Sequence, residues 1–400
     1  MRKVFYTYAL SGNMIESGSE AFLNLPASPY EMLDAMDKLR LSEGSDVKFI
    51  VNEYYRFGCL VPFLGEPNDL HALNALAQKL SELDDRQETA FEGLLKMEIN
   101  KKGGSIGLPR LIDLAYSADC CHVVEEALND SQLGRFLAEN GFVPGVDNLP
   151  DAVFDMLDFE RIGREHRQRE GGILMERDAD HSGGYVEQHS DLVEAYKSLD
   201  LTAHRPDYIF RIGVTHHPDA AETGKIVYLD LPATAEQWQQ AENELGELGW
   251  LGTVIDSIDS LVPRLGDMLI STEDMPDLNR LAQRLADLPA KDVITFKAIL
   301  EAADCRDLDR AEQLMDTLDE YTFSPQFSSP IEVAKGELSV ILCDGEREQI
   351  TPCLNLYKYG QALIQDGGGV LTDYGLLERK DGQPVQAVEQ QPQQGGMEMC

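Results

Sequence analysis

The chain has 400 residues, 43% of them apolar, and sets 71 Asp and Glu against 34 Lys and Arg, for a formal net charge of −37. The apolar share is enough for a sizeable core, which excludes a disordered acidic polypeptide, and the length suits two or three domains. A surface this negative repels nucleic acid, anionic lipid and ATP and attracts basic surfaces, many of which exist to hold DNA.

The N-terminal run KVFYTYAL reads as a strand, since its apolar stretch is too short for a signal peptide. No run approaches the roughly 18 apolar residues that span a membrane. Seven Cys, including the adjacent Cys120 and Cys121, form neither a CxxC pair nor a disulfide framework, and read as reduced thiols in a cytosol.

FLNLPAS, from Phe22 to Ser28, closes a strand and opens a helix. Ser28 is the expected N-cap, with Glu31 three residues on completing a capping box. The helix carries Met32, Ala35, Met36 and Leu39 on one face. VKFIVNEYY is a further strand. Helical spacing then runs from Leu70 to Lys96 through Leu73, Leu76, Ala77, Leu80 and Leu83, with a break expected near Asp84. From Phe154 the pattern mixes helix, Gly turn and strand.

The second half repeats the first. YLDLPAT at Tyr228 echoes FLNLPAS at an offset of 206, and LVPRLGD at Leu261 echoes LVPFLGE at an offset of 201. LNRLAQRLADL at Leu278 echoes LNALAQKLSEL at an offset of 205, and Gly360 with GGVL echoes Gly163 with GGIL at an offset of 197. Four matches in one order indicate a tandem duplication of about 200 residues, a period too long for a solenoid. In the second copy YIFRIGV and GTVIDSI take the strand positions and Thr234 takes the N-cap. The expected architecture is α+β, with two tandem, homologous, elongated modules, each of small antiparallel sheets and a helical section. The modules run over 1–201 and 207–383, joined at LTAHRPD, and a disordered Gln/Pro/Gly-rich tail occupies 384–400.

Catalytic chemistry is faint. His216 and His217 with Asp219 allow a metal-dependent enzyme as one hypothesis, and His181 and His189 a loop ligand pair, but a polar loop accounts for both. The first copy has no His pair where His216 and His217 stand. Cys120 and Cys121 read as small core-facing thiols. Gly367–Gly369 lacks the Lys-Ser/Thr of a phosphate loop and precedes a strand, so it reads as a turn needing positive φ. No cofactor and no metal is expected, and no enzyme activity.

The carboxylates are the stronger lead. Asp309, Glu312, Asp316 and Asp319 are spaced along one helix face beside the core-facing Leu308, Ala311, Met315 and Leu318. Such a row has a carboxylate about every 6 Å, too sparse alone to imitate a duplex with a charge every ~1.7 Å. Several rows together approach it, and the surplus equals the phosphates of roughly 18 base pairs. The excess is global, 17 through Asp200 and 20 beyond it.

FLNLPAS with EMLDAMDKL, VKFIVNEYYRFG, LNALAQKLSELDD and FERIGREHRQREGGIL, in this order, resemble the ArdA-type antirestriction proteins of plasmids, conjugative transposons and phages. Phe22 to Pro26 and Tyr228 to Pro232 stand for the family's early aromatic-hydrophobic-D-L-P. Leu73 to Leu80 and Leu278 to Leu285 stand for its L-N-x-L-A-x-x-L helix. Phe159, Glu160, Gly163, Arg164 and Glu165 stand for its late aromatic-E-x-Y-G-R-D, with Ile162 in the Tyr place; Tyr359 and Gly360 keep the Tyr-Gly step, with Gln361 in the Arg place. The resemblance implies an acidic α+β mimic of bent B-form DNA, without a catalytic site. It would occupy the DNA-binding cleft of a type I restriction-modification enzyme in the cytoplasm of a bacterial host. Family members are single copies that pair as homodimers, so this chain is expected to be an internal pseudodimer or a homodimer. The partner-binding carboxylates are expected on exposed helix faces: Glu31, Asp34 and Asp37; Glu82, Asp85, Glu88 and Glu92; Asp309, Glu312, Asp316 and Asp319. The run Arg161, Arg164, Arg167 and Arg169 beside Glu160, Glu165 and Glu170 reads as a salt-bridged helix or an inter-copy contact, with a phosphate contact as the alternative. A second function class is an acidic inhibitor or scaffold for another DNA-binding partner, such as a CRISPR effector, a nucleoid protein or RNA polymerase.

Overall fold

The computed structural model describes residues 2–11, 19–40, 47–65, 69–102, 106–176, 183–202, 205–216 and 225–385. The tail from 386, the joint residues 203 and 204, and His181, His217 and Asp219 lie outside them. The fold is α+β, with helices packed on small three-stranded sheets.

Strands β1 (Phe5–Ser11), β2 (Ser19–Leu25) and β3 (Val47–Tyr54) form a sheet in the order β2-β1-β3. On β2 burial alternates, so Leu23 and Leu25 turn inward while Phe22 and Asn24 face out. The chain then turns through the cis Leu25-Pro26 bond into α1 (Pro29–Leu39). Ser28 Oγ accepts from Glu31 N and the Glu31 carboxylate accepts from Ser28 N, the capping box read from the sequence. Asn74 braces this corner, donating to Ala27 O at 3.0 Å and accepting from Ala27 N at 2.7 Å.

One compact unit comprises Met1–Tyr8, Asn24–Ala27 and Lys48–Ala203. Here α2 (Leu70–Ser81) and α3 (Asp85–Lys102) are separate helices, as the break near Asp84 predicts. Next come α4 (Leu108–Tyr116), β4 (Cys121–Val124), α5 (Asp130–Glu139), α6 (Asp151–Phe154), α7 (Phe159–Glu170), β5 (Ile173–Met175) and β6 (Gly184–Gln188). Helix α3 lies between α4 and the antiparallel sheet β4-β6-β5. A Cβ on Gly93 would stand 2.7 Å from the Val186 side chain, so glycine lets α3 approach β6. Helices α5 and α7 touch backbone to backbone at Gly134 and Gly163, over a small core of Ala127, Leu133, Leu137 and Tyr185.

The second unit comprises Ala9–Leu23, Ser28–Val47 and His204–Cys400. Helix α1, which belongs to the first repeat by sequence, is therefore part of this unit and packs on its sheet. That sheet joins β7 (Phe210–Thr215), β8 (Val227–Leu231) and β9 (Val254–Ser260) in the order β8-β7-β9, antiparallel throughout. The cis Leu231-Pro232 bond, the Thr234 capping box and Asn279, bonded to Ala233 N at 2.7 Å and Ala233 O at 3.3 Å, repeat the corner of the first half. Helices α8 (Ala235–Leu245), α9 (Pro263–Met268), α10 (Met275–Ala286), α11 (Ala290–Ala302) and α12 (Leu308–Met315) follow. The antiparallel sheet of β10 (Tyr321–Ser324), β11 (Val370–Thr372) and β12 (Gly375–Arg379) has the order β10-β12-β11, as β4-β6-β5 has. Helices α13 (Pro330–Ile341), α14 (Asp344–Ile350) and α15 (Leu356–Asp366) lie in sequence between β10 and β11, and Gly368, at φ +64°, makes the turn into β11 that Gly367–Gly369 predicts. The core gathers Phe210, Ile212, Leu231, Leu278, Leu281, Leu285 and Phe296, and takes in Tyr30 from α1.

Candidate partner-binding surface

The eleven carboxylates expected on exposed helix faces divide. Glu31, Glu82, Asp85, Asp309, Asp316 and Asp319 are exposed, and Glu312 is half-exposed. Asp34, Glu88 and Glu92 are buried, and Asp37 is half-buried, which corrects the expectation for them.

The reason is tertiary. Asp34 and Asp37 face Lys297 of α11, whose Nζ donates to both at 2.8 Å from a side chain only 1% exposed. Tyr374 Oη donates to the same Asp34 oxygen at 2.8 Å, and Lys38 stands 3.2 Å away on the next turn of α1. Burial works to raise the Asp34 carboxyl, but Lys297 and Lys38 outweigh it and hold it below the usual range. At Asp37 burial wins over Lys297 and raises the carboxyl. Both acids share one ammonium, and the second charge is the harder to keep. Glu88 is fully buried because α3 is packed on more than one side; Arg2 and Arg56 both reach it, Arg56 at 2.7 Å. Glu92, on the same helix, lies against the Cys59 thiol, which burial and then Glu92 push up. Its counterpart in the repeat alignment is Lys297, so the two halves bury opposite charges at one helical position.

The row on α12 is shorter than the spacing implies. The helix ends at Met315, Asp316 is its C-cap, and Asp319 stands in a separate 3-10 turn at Leu318–Glu320. Ala311 and Met315 are buried as expected, with Leu308 and Leu318 packed beside them. Arg284 of α10 pairs with Asp316 and lies 3.6 Å from Glu312, so half of this row is neutralised within the unit.

The cations of α7 are matched in the same way. On α7, Arg161 pairs with Glu165 at 2.7 Å and Arg164 with Glu160 at 2.8 Å. Arg167 grips Asp130 of α5 with two bonds of 2.7 and 2.9 Å, and Arg169 pairs with Glu170 at 2.7 Å. The basic run is thus a salt-bridged helix, one of the readings its sequence allowed. Exposed pairs of this kind add little to stability; their larger effect is to neutralise the basic run on α7 while the surplus of negative charge remains.

One stretch outside the eleven carboxylates is acidic without any cation of its own. Residues 226–263 contain no Lys or Arg. Within them Glu236, Glu242, Glu247 and Asp256 have no ion-pair partner among the described residues. The signal was present in the sequence as a cation-free run, but periodicity alone passes over it.

Among the described residues no group of three His, Cys, Asp or Glu side chains could hold a metal, and none of the helices is long and apolar enough to cross a membrane. Cys120 and Cys121 are buried free thiols, as expected, and burial pushes Cys121 up to about 12. No protein-family model matches the chain, and no curated protein matches it.

Proposed function

We propose that the protein is a DNA mimic of the antirestriction type, built from two copies of one acidic module, which occupies the basic DNA-binding cleft of a type I restriction-modification enzyme. The observation that carries this reading is the division of charge. Arginines such as Arg161, Arg164, Arg167 and Arg284 are paired with neighbouring carboxylates, while carboxylates such as Asp309, Asp319, Glu236, Glu247 and Asp256 stand outward with no ion-pair partner among the described residues. Such a surface offers a cleft lined with Lys and Arg the field of a phosphate backbone, with no bond to cleave. The mechanism is competition. Binding releases counterions, so it weakens steeply with salt. The repeated corner, sheet order and helix pairs support two homologous modules within one chain.

The test is cleavage of unmodified DNA by a type I enzyme with increasing amounts of the protein at low salt. Inhibition near stoichiometry that fades as salt rises is the expected result. Undiminished cleavage at stoichiometric excess and low salt would remove this target.

A further inference from the structure

Both tryptophans of the chain, Trp238 and Trp250, lie together in the second unit, with ring centroids 5.2 Å apart. They pack against the core of that unit and remain half-exposed. The segment GELGWLG, which carries Trp250, winds through successive turns, with Gly246, Gly249 and Gly252 at φ of +89°, +52° and +72°. Backbone bonds from Gly249 N to Gly246 O, Leu251 N to Leu248 O and Thr253 N to Trp250 O close these turns at 3.1, 3.0 and 3.4 Å. A left-handed residue at every third position is costly for anything but glycine. The glycines let the chain hold Leu248 and Leu251 outward, 61% and 75% exposed. Thr253 Oγ1 donates to Thr272 Oγ1 at 3.1 Å, tying in the loop that carries Ile270, which is 89% exposed. Contiguous exposed apolar side chains mark contact surfaces, and tryptophan is enriched among the anchors of such surfaces.

We infer that this turn, with Trp238 packed against its Trp250, is the apolar anchor that seats the chain on a basic, DNA-binding face of its partner, an assignment that rests on the mimic reading above. Charge complementarity selects the occupant. The turn lies inside the stretch 226–263, which has no Lys or Arg of its own; Glu247 is in the turn and the Glu242 side chain lies against Gly249, with Lys225 reaching, among the described residues, only the preceding Glu244. A second copy of this chain would bring two such acidic rims together, and an anionic lipid surface would be repelled; a basic rim around an apolar spot satisfies both the carboxylates and the leucines. Salt-insensitive apolar contact would complement the salt-sensitive carboxylates.

The experiment compares the full chain with Leu248→Ser/Leu251→Ser and with Glu236→Gln/Glu247→Gln in the cleavage assay, after circular dichroism shows unchanged folding. The same chains labelled with 5-fluorotryptophan are titrated with the type I enzyme and followed by 19F NMR, where both protein resonances report on this turn. The leucine variant is expected to inhibit at least tenfold more weakly, the glutamine variant to lose part of its salt dependence, and both 19F resonances to shift on binding. Equal inhibition by the leucine variant, with unmoved resonances, would overturn the anchor and leave the mimic standing. Failure of the unaltered chain to inhibit would overturn the mimic reading and this assignment with it. A molar mass that rises with concentration and falls back in the leucine variant would assign the turn to a second copy and overturn the proposal.

Discussion

Replacing Lys297 with Met keeps the length of the side chain on α11 and removes its charge. In the native protein the ammonium sits 2.8 Å from Asp34 and 2.8 Å from Asp37, and the Asp34 side chain is only 9% exposed. Removing one partner of a buried pair leaves the other charge uncompensated and costs about 3–5 kcal/mol. The loss should stand near the upper end, since two carboxylates and the Tyr374 hydroxyl share the site. It can be read by urea unfolding followed through tryptophan fluorescence, because both tryptophans pack on the core of the unit that holds Lys297. The pH dependence separates mechanism from mere packing. In the native chain Asp34 lies below its unfolded value near 3.8, so its stabilisation is full above that value and is lost as pH falls through the lower folded pKa. In the variant the stranded carboxylates titrate above their unfolded values, so their penalty is full at neutral pH and shrinks on acidification. Lys297→Met should therefore regain stability relative to the native chain between neutral pH and about pH 4. Adding Asp34→Asn and Asp37→Asn should recover much of the loss at pH 7. A loss under about 1 kcal/mol, or one that does not change with pH, would refute the reasoning.

Gly163→Ala would set a Cβ 1.9 Å from Asp130 O and force α5 and α7 apart, at a cost of about 3 kcal/mol, whereas Gly58, with open space around it, should accept Ala almost freely; thermal unfolding compares them. Asn74→Ala and Asn279→Ala each remove two backbone bonds at equivalent corners, and chemical denaturation should show losses of about 1–3 kcal/mol for each. Ser28→Ala removes a cap worth about 1 kcal/mol together with the 2.6 Å bond from Ser28 Oγ to Asp259, so it should destabilise more than Thr234→Ala in the same measurement. At pH 8 iodoacetamide should label the exposed Cys343 and Cys353 and spare buried Cys121, whose thiol burial raises to about 12; mass spectrometry of peptides reads the difference.

Local chemistry was legible in the sequence. The strand that ends at Leu25, the capping box at Ser28 and Glu31, the break between Ser81 and Asp85 and the turn at Gly368 are each decided by residues within a few positions of one another. The same holds for the salt bridges along α7, where helical spacing places Arg161 over Glu165 and Arg164 over Glu160. The α+β class follows from such elements in series. Tertiary structure alone decided which acids face water. Helices α3 and α11 bury residues on nearly every side, so hydrophobic period gives no inward face and could not mark Glu88, Glu92 or Lys297 as interior. Asp34 looks like a solvated helix residue until α1 packs in the second unit, and its partners are 263 and 340 positions away. Composition set the net charge of the protein; the packing of α1 and α3 determined how much of it reaches the surface.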